Sequence, residues 1–485
     1  MPVPEGPYNF LFYIADDLSP FSDTQYVPAF RRIGDEGVVF SNAFTNAPSC
    51  TPARSIVLTG QPLWHLKEGS TLFGALPATL PVFPLLLQDA GYFVGHTGKA
   101  WGPGSLAAGG WPDTTNPVGT PYQDLKVDPA HEGMSNVDYA ANFDAFLADR
   151  PEETPFFFWY GSFEPHRKFG AGQGLASGKP LNDARVPASL PDTEVIRNDM
   201  LDYDIEVEYA DHHFGQMLTA LEAAGELDRT IIIVTSDHGM AFPRAKATGL
   251  YDDATHIPLM VHGPGITGGG REITDFVGLM DLGPTILDLA GITPPADMVG
   301  QSIKPQLTSA ASGRIDPARN HIVLALERHT IARPNFLGYP MRALRTDDFL
   351  LVHNFEPTRW PAGDPDFESI HQGIFGDIDA GPAKDFVLSL ADDPKLSRFF
   401  KMATARRPAF ELFDLKLDRE QILSVADDPV YLLTLDSLNT QLESYLRDAG
   451  DPRVFGKSPW DQNIYYFDDL PETMPAGDPD RWNLD

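Results

Sequence analysis

Two short hydrophobic runs of the chain are each followed by residues of the types that bind metal ions. Residues 9–15 form an apolar, aromatic-rich run followed by Asp-Asp at positions 16–17, and residues 230–235 form a β-branched run that leads to Asp-His at positions 237–238. Short, continuously apolar runs are typical of strands buried on both faces of a parallel sheet. Because ligands collect at the carboxyl ends of such strands, both polar pairs are predicted at a ligand-binding edge.

Helical patterns lie between and beyond these runs, and each ends at Gly or before Pro. The predicted helices cover residues 80–90, 136–149, 205–224 and 281–290. Strand-like runs follow the first three helices, and a further run precedes the last: residues 92–97, 156–161, 231–235 and 259–262. Alternation of helix and strand predicts an α/β fold built on a large, doubly wound, mostly parallel sheet.

The pattern changes beyond residue 317, where short apolar segments are joined by turn-rich stretches. Strands are predicted at residues 341–346, 349–355 and 409–415, with a helix at 430–447 packed on them. A length of 485 residues favours more than one core. We therefore expect an α/β domain of residues 1–316 and a smaller C-terminal α+β subdomain of residues 317–485, with a small antiparallel sheet. The tail from Asp451 is predicted to wrap around it.

Composition excludes several classes of function. The chain has 68 Asp and Glu residues against 36 Lys and Arg, a formal net charge of -32, which repels nucleic acid and anionic membrane surfaces. Its apolar runs are far shorter than the roughly 18 residues of a membrane span. The acidic surplus is interpreted as an aid to solubility or an adaptation to salt. The first residues show neither a basic leader nor an apolar run, so we expect a cytoplasmic protein, or a periplasmic or secreted one if a leader was removed.

Cys50 is the only cysteine of the chain, and it opens the run Cys-Thr-Pro-Ala-Arg at residues 50–54. A lone cysteine forms no internal disulfide, so it packs as a small hydrophobe, reacts or is modified. Cys-x-Pro-x-Arg is the pattern oxidised to Cα-formylglycine, an aldehyde whose hydrate can attack the sulfur of a sulfate ester. Because an apolar helical turn leading to Gly60 follows, modification is the interpretation we favour.

Five further segments complete a resemblance that covers nearly the whole chain. They are Ile-Ala-Asp-Asp at 14–17, Thr-Gly-Lys at 97–99, Glu-Pro-His-Arg at 164–167, Thr-Ser-Asp-His-Gly at 235–239 and Glu-Leu-Phe-Asp-Leu at 411–415. With the Cys50 run, they make the chain resemble the type I, formylglycine-dependent sulfatases of the alkaline phosphatase superfamily. The Pro-His-Arg segment, Tyr-Pro-Met-Arg at 339–342 and Leu-Val-His-Asn at 351–354 look most like the heparan N-sulfatase (sulfamidase) branch and its bacterial polysaccharide-sulfatase relatives.

The resemblance implies a metal site. Asp16, Asp17 and Asp237 are hard oxygen ligands suited to Ca²⁺ or Mg²⁺, and the formylglycine oxygen at Cys50 would complete the set. His238 stands where many sulfatases have Asn, and imidazole suits Mn²⁺ or Zn²⁺ better than Ca²⁺. Ca²⁺ is the expected ion, with Mg²⁺, Mn²⁺ and Zn²⁺ as alternatives. His238 either binds the metal or contacts only the sulfate.

The resemblance also implies catalytic roles. Arg54 would orient the aldehyde hydrate, and Lys99 would bind a sulfate oxygen as a point charge. Lys246 matches the second sulfate-binding lysine of the family, but its spacing to the following Tyr leaves Arg244 as an alternative. His166 is the candidate general acid that protonates the leaving group.

One catalytic group stays unassigned. Many sulfatases carry a His two residues after the lysine matched here by Lys99, but this chain has Trp101 at that position. The base that would collapse the sulfated hydrate is therefore unidentified, with His65 as a possible substitute.

Substrate recognition is expected from Arg167 and from Glu327 and Arg342, because planar guanidinium groups suit sulfate and carboxylate. Neighbouring charges at Arg328, His329 and Arg333 share the segment, which is expected to precede or begin the first strand of the second sheet. Ordinary surface charge is the alternative interpretation.

The expected function is hydrolysis of sulfate esters or sulfamates of a sulfated carbohydrate, after maturation by the formylglycine-generating enzyme. The alternatives are a phosphodiester or phosphonate monoester hydrolase on the same fold, and a catalytically silent sulfoglycan-binding protein. The sequence leaves the glycan, the sulfate position and the oligomeric state open.

Overall fold

The computed structural model describes residues 7–369 and 372–462. Its strands are β1 (Asn9–Ala15), β2 (Val38–Phe40), β3 (Ala43–Phe44), β4 (Phe93–Gly98), β5 (Thr120–Pro121), β6 (Phe156–Gly161), β7 (Thr230–Ser236), β8 (Leu259–His262), β9 (Arg271–Ile273), β10 (Val277–Gly278), β11 (His321–Leu326), β12 (Met341–Thr346), β13 (Phe349–Asn354) and β14 (Phe410–Asp414). Its α-helices are α1 (Pro28–Glu36), α2 (Cys50–Thr59), α3 (Phe83–Asp89), α4 (Tyr139–Asp149), α5 (Gln173–Ala176), α6 (Glu194–Ala223), α7 (Asp252–Thr255), α8 (Leu282–Leu289), α9 (Lys304–Thr308), α10 (Pro382–Ser389), α11 (Ser397–Thr404) and α12 (Leu432–Asp448).

The main sheet of the described chain has eight strands in the order β5-β4-β6-β1-β7-β8-β2-β9. The neighbours from β5 to β7 in this order are parallel, whereas β8 is antiparallel to both β7 and β2. In the register of β1 with β7, Ala15 lies opposite Ser236. The residues that follow these two strands therefore emerge side by side.

Side chains of β1 alternate between two hydrophobic cores. Phe10 and Phe12 pack in one core with residues of α2, α3 and α8. Leu11 and Tyr13 pack in the other with residues of α1, α4 and α6. Because the central strand is buried on both faces, the layers are helix, sheet and helix. The prediction of an α/β, doubly wound and mostly parallel sheet is confirmed.

A second, four-stranded antiparallel sheet has the order β11-β12-β13-β14. One face packs Leu324 and Leu350 beside Tyr251. The opposite face contributes Leu351 to the first core, together with Leu442 of α12. The predicted small antiparallel sheet is confirmed.

The bounds of β1, β6, β8 and β12 are those that the sequence predicted, whereas α6 begins at Glu194, well before residue 205. Acidic residues interrupt the apolar pattern in this first part of α6, and several of them are buried. The run that forms β11 was not assigned as a strand, and this omission produced an error. Glu327 follows the first strand of the second sheet and does not precede it.

Strands of the main sheet end by Ile273 and those of the second sheet begin at His321. The division into domains at residues 316 and 317 stays a prediction. Helical turns at Pro452–Phe455 and Pro459–Gln462 follow α12, while the rest of the predicted wrapping tail, residues 463–485, lies outside the described residues. Within residues 7–369 and 372–462, no helix has the length and apolar character needed to cross a membrane.

Candidate active site

The carboxyl ends of β1 and β7 place four predicted site residues together. Asp16 and Asp17 follow β1, Asp237 and His238 follow β7, and all four are buried. The backbone N–H of Asp17 donates to Asp237 Oδ1 at 3.2 Å. His238 lies between the two strand ends, with Nδ1 3.3 Å from Asp17 Oδ1 and Nε2 3.5 Å from Asp237 Oδ1. The parallel pairing of β1 and β7 therefore builds this cluster directly.

Cys50 is the first residue of α2 and faces the same cluster. Its Sγ lies 3.5 Å from Asp16 Oδ1 and 3.4 Å from His238 Nε2, and the residue is 2% exposed. Burial raises the pKa of the thiol, and the charge of Asp16 raises it further. The unmodified side chain is therefore a neutral thiol and a poor nucleophile, because it is the thiolate that attacks.

Arg54, one turn along α2, is completely buried and forms hydrogen bonds with the residues after β7, at the end of β1 and after β4. Its Nε donates to Asp237 Oδ2 at 2.8 Å, and its terminal nitrogens donate to the backbone carbonyl oxygens of Ala15, Lys99 and Ala100. These contacts fix the end of β1 and the loop after β4. Arg54 lies in the site, as expected, but its described hydrogen bonds go to the scaffold around Cys50.

Lys99 and Lys246 supply positive charge from two sides. Lys99 Nζ lies 2.5 Å from Asp16 Oδ2. Lys246 Nζ lies 2.9 Å from Asp17 Oδ1 and 3.1 Å from Asp379 Oδ2. The alternative to Lys246 is placed elsewhere, since the Arg244 guanidinium stacks 3.9 Å from the centre of the Tyr251 ring.

The donor set of the cluster fits a divalent cation. One atom each from Asp16, Asp17, Cys50 and His238 lie within 4.8 Å of one another. Asp17 Oδ1 is buried and faces the Lys246 ammonium at 2.9 Å and His238 Nδ1 at 3.3 Å. Burial raises the pKa of Asp17 to about 7. The positive charge of Lys246 lowers this pKa, whereas the negative charge of Asp16 raises it. Since two buried carboxylates this close disfavour joint ionisation, a cation would stabilise the pair. Because His238 would add a nitrogen ligand to the carboxylate oxygens, the donor set does not decide between Ca²⁺ and ions such as Mn²⁺ or Zn²⁺.

Asp16 shows the opposite shift. Burial opposes its ionisation, but Lys99, His166 and Arg54 outweigh burial and hold the pKa of this carboxyl well below its usual range. Asp16 is therefore the permanently charged member of the pair. Asp237 is the carboxylate held by Arg54, so each acidic residue of the cluster has a distinct partner.

A cavity of about 1250 Å³ opens onto this cluster, and Asp16, Cys50, Lys99, His166, Lys246 and Asp379 are among its lining residues. Nδ1 of His166 lies 2.5 Å from the carbonyl oxygen of Arg167, so this ring nitrogen is the donor and Nε2 is left for proton exchange. Burial lowers the pKa of His166, and the charge of Lys246 lowers it further. The geometry brings His166 to the same cavity as Cys50.

Arg167 also borders the cavity, but its guanidinium is engaged inside the protein. It forms two hydrogen bonds with Asp199, at 2.7 and 2.9 Å, and lies 4.4 Å from the ring centres of both Phe169 and Phe242. Nε donates to the carbonyl oxygen of Ala241. The structure thus gives Arg167 an anchoring position.

Glu327 and Arg342, predicted to bind substrate, are not among the residues that line the cavity. Arg342 Nη2 donates to Glu327 Oε1 at 2.7 Å, and its Nε lies 2.5 Å from Asp451 Oδ2. Arg453 donates to Glu327 Oε2 at 2.6 Å. This buried network joins the second sheet to the segment after α12, so the structure brings the two residues together but away from Cys50.

The structure does not assign the base to His65, its possible substitute, and Trp101 occupies the position where many sulfatases have His. His65 lies outside the cavity lining, with Nε2 3.1 Å from the carbonyl oxygen of Ala449. Trp101 lines the cavity, but its indole N–H donates to Ser55 Oγ at 2.8 Å.

Among the cavity residues, Asp379 and Gln372 were not selected from the sequence, and His329 was named only as a charge near Glu327. His329 Nδ1 lies 2.9 Å from Oγ of Ser49, the residue before Cys50. Burial lowers the pKa of His329 to about 3, so its imidazole is neutral. These residues come from loops whose sequence has no helical or strand periodicity, and the only available signal for His329 was its place beside Glu327.

Comparison with known families decides the identity of this site. The sequence model described as Sulfatase matches residues 10–292, which is more than half of the chain. The chain belongs to the sulfatase family. A second model, described as N-sulphoglucosamine sulphohydrolase, C-terminal, matches residues 246–360 of this sulfatase. The predicted family and branch are confirmed.

Two curated relatives illustrate the similarity. Human N-sulphoglucosamine sulphohydrolase is 27% identical over an alignment of 493 positions, gaps included, which covers 92% of this sulfatase and 91% of the relative. Delta 4,5-hexuronate-2-O-sulfatase from Bacteroides thetaiotaomicron is 26% identical and covers 72% and 80% of the two chains. Both similarities extend over most of each chain.

Solved structures share the fold. A protein solved in complex with its substrate D-glucosamine-2-N,6-O-disulfate has a TM-score of 0.66 at 20% identity, covering 93% of this sulfatase and 100% of that chain. The phosphonate monoester hydrolase of Silicibacter pomeroyi also has a TM-score of 0.66, at 18% identity, covering 96% and 100%. Both likenesses show that this sulfatase shares its fold with these two proteins.

Proposed function

We propose that this sulfatase hydrolyses a sulfate ester or sulfamate of a sulfated carbohydrate, with Cys50 oxidised to formylglycine by the formylglycine-generating enzyme. The observation that carries the proposal is the position of Cys50, which starts α2 beside Asp16 and His238 on a cavity lined by Lys99 and Lys246. The curated relatives include a sulphoglucosamine sulphohydrolase and a hexuronate 2-O-sulfatase, which supports a sulfated sugar as the substrate class.

Oxidation would change the chemistry available at residue 50. The thiol is neutral in its buried setting, but an aldehyde hydrate would supply one hydroxyl to attack sulfur as the bond to the leaving group breaks, and a second to expel sulfate and restore the aldehyde. A divalent cation, Ca²⁺ in the first instance, would be held by Asp16, Asp17 and His238, with the neighbouring Asp237 as a further carboxylate ligand, and would supply Lewis-acid stabilisation of sulfuryl charge.

The remaining residues bind charge and move a proton. Lys99 and Lys246 supply the positive charge that neutralises the sulfuryl oxygens. With Nε2 protonated, His166 gives that proton to the departing oxygen or nitrogen, so that the leaving group departs uncharged. Arg54 acts through Asp237 and the carbonyl groups around it, which hold the strand ends in place.

The test combines intact mass with turnover. Conversion of Cys50 to formylglycine lowers the mass by about 18 Da. Protein from a host with the maturation enzyme is expected to show this shift and to release sulfate from sulfated sugars, whereas Cys50→Ala shows neither and keeps the fold by circular dichroism. Protein made without the maturation enzyme is the matched control. Undiminished sulfate release by Cys50→Ala would contradict the mechanism, and an absent mass shift from the competent host would support a silent sulfoglycan-binding protein.

A phosphonate monoester or phosphodiester hydrolase is the second candidate, because a phosphonate monoester hydrolase has the same TM-score as the disulfate-bound neighbour. Rates on 4-nitrophenyl sulfate, an aryl phosphonate monoester and a phosphodiester, measured on the same mass-verified preparation, separate the two candidates. We expect the sulfate to be hydrolysed fastest, since the family models and the curated relatives that match this chain are sulfatases and sulphohydrolases.

A further inference from the structure

The loop of residues 372–381 brings a carboxylate into the cavity that the proposed chemistry does not use. Asp379 is 9% exposed and lines the cavity. Its Oδ1 accepts a hydrogen bond from Gln372 Nε2 at 3.2 Å, and its Oδ2 lies 3.1 Å from Lys246 Nζ. Although burial opposes ionisation, Lys246, His166 and His329 hold the pKa of Asp379 below its usual range. An ionised acceptor therefore stands beside the sulfuryl-binding lysine.

This loop is held in place by a buried lysine. Lys384 Nζ donates to the carbonyl oxygens of Gln372 at 2.7 Å, Phe375 at 3.1 Å and Ile378 at 2.8 Å. Gln372 Oε1 in turn accepts from the backbone N–H of Ala380 at 2.7 Å. Because both ends of the loop are tied to one ammonium group, Asp379 is positioned before any ligand arrives.

The charges around the cavity indicate what this carboxylate can bind. The Lys and Arg side chains among the described lining residues are Lys99, Arg167 and Lys246, and each already pairs with a carboxylate. The acceptor on the part of the wall near residue 379 is the Asp379 carboxylate, because Gln372 Oε1 already accepts from Ala380. This part of the wall has no spare cation, because the adjacent Lys246 is paired with both Asp17 and Asp379. It matches the O–H and N–H donors of a sugar, and it repels a second sulfate or a uronate carboxylate.

We propose that Asp379, positioned by Gln372 and Lys384, determines specificity by accepting hydrogen bonds from hydroxyl or amino groups of the sugar next to its sulfated atom. The preferred substrate is then a singly sulfated, otherwise neutral or amino sugar. This inference rests on the proposed sulfatase function of the same cavity.

The experiment compares Asp379→Asn and Asp379→Ala with the wild type, all loaded with metal and verified by mass for formylglycine. kcat/KM is measured on sulfated monosaccharides, and the Kd of inorganic sulfate is measured by calorimetry because sulfate reports the sulfuryl end without a sugar. Both variants are expected to lose about 10- to 100-fold in kcat/KM, the value of a charged hydrogen bond. Their sulfate affinity is expected to be unchanged or tighter. Asp385→Asn, an exposed acidic residue of the adjoining helix α10, is the matched control.

Other outcomes overturn the inference in distinguishable ways. Weaker sulfate binding that parallels the loss of turnover means that Asp379 serves only to position Lys246. Equal wild-type rates on singly sulfated sugars and on their disulfated or uronate-containing counterparts exclude the predicted selectivity. A mass-verified wild type that releases no sulfate from any sugar refutes the proposed function, and the inference with it. If Asp379→Ala fails to fold, the isosteric Asp379→Asn variant supplies the comparison.

Discussion

Glu206 is the buried carboxyl group for which the structure makes the sharpest stability prediction. It lies on α6, is 1% exposed and borders the cavity wall. Its Oε1 receives no hydrogen bond, and no described Lys or Arg forms an ion pair with it. Burial raises its pKa to about 9, and the charges of Glu164 and Asp202 add to the shift. Glu206 is therefore protonated in the folded protein at neutral pH.

The sign of the effect follows from proton uptake. The folded state binds a proton at Glu206 up to pH 9, whereas the unfolded chain releases it above about pH 4.3. Stability from this proton is fully present below the unfolded pKa and is lost as the pH rises through the folded pKa. One extra proton in the folded state gives a slope of about 1.4 kcal/mol per pH unit, or about 2.7 kcal/mol between pH 6 and pH 8.

The perturbation is Glu206→Gln, which keeps the shape and removes the titration. The free energy of unfolding of the variant and of the wild type is measured by urea denaturation from pH 5.5 to 8.5. The variant's value minus the wild-type value is expected to increase by about 1.4 kcal/mol per pH unit. Glu222→Gln on the same helix is the control, because Glu222 is half exposed and pairs with Arg32. Parallel curves for the wild type and Glu206→Gln would refute the reasoning, since they would mean that Glu206 ionises normally in the folded protein.

Two further predictions concern the buried network and the metal cluster. Arg342→Met is expected to lower the free energy of unfolding by about 3–5 kcal/mol, because it leaves Glu327 and Asp451 buried without this partner. The KM for a sulfated sugar should stay within about twofold of the wild type at a temperature where both are folded, and a large rise in KM at unchanged stability would restore the substrate-binding role. Addition of Ca²⁺ to chelator-treated protein is expected to raise stability by about 2.7 kcal/mol at 100 times its Kd, seen as a higher Tm. Asp17→Asn should reduce this shift, and an identical shift in that variant would exclude Asp17 as a ligand.

The sequence was sufficient for the parts of the site that follow regular strands. Asp16 and Asp237 were predicted at one edge because each comes directly after a continuous apolar run, and parallel pairing of β1 with β7 brings them together. Cys50 was found by the spacing of a short motif. In both cases the signal is local in the sequence. The pairing of the strands then brings together the residues that the local patterns had indicated.

The sequence was insufficient where the partner of a charged residue is distant along the chain. Arg342 and Glu327 were predicted to face substrate, but the residues that bury them, Asp451 and Arg453, lie more than a hundred positions away. Asp379 was missed for the same reason, since Lys246 and not a local pattern gives it a role. A charge on a turn-rich segment looks the same in sequence whether it meets solvent, substrate or another buried charge.

Composition alone attributed the acidic surplus of the chain to solubility or to salt. In the structure, some of these acidic residues are buried and bind backbone groups inside the protein. On α6, Asp211 accepts hydrogen bonds from the backbone N–H groups of Ala29 and Phe30, at 3.2 and 2.7 Å, and so satisfies the first turn of α1. Asp202 does the same for Gly172 and Gly174 at 2.8 Å each. The backbone N–H groups stabilise the charge of these carboxylates in place of a lysine or arginine, although burial still raises the pKa of Asp211 to about 6. A chain that holds its loops in this way accumulates negative formal charge without a matching gain of cations, so part of the net charge of -32 measures internal anchoring.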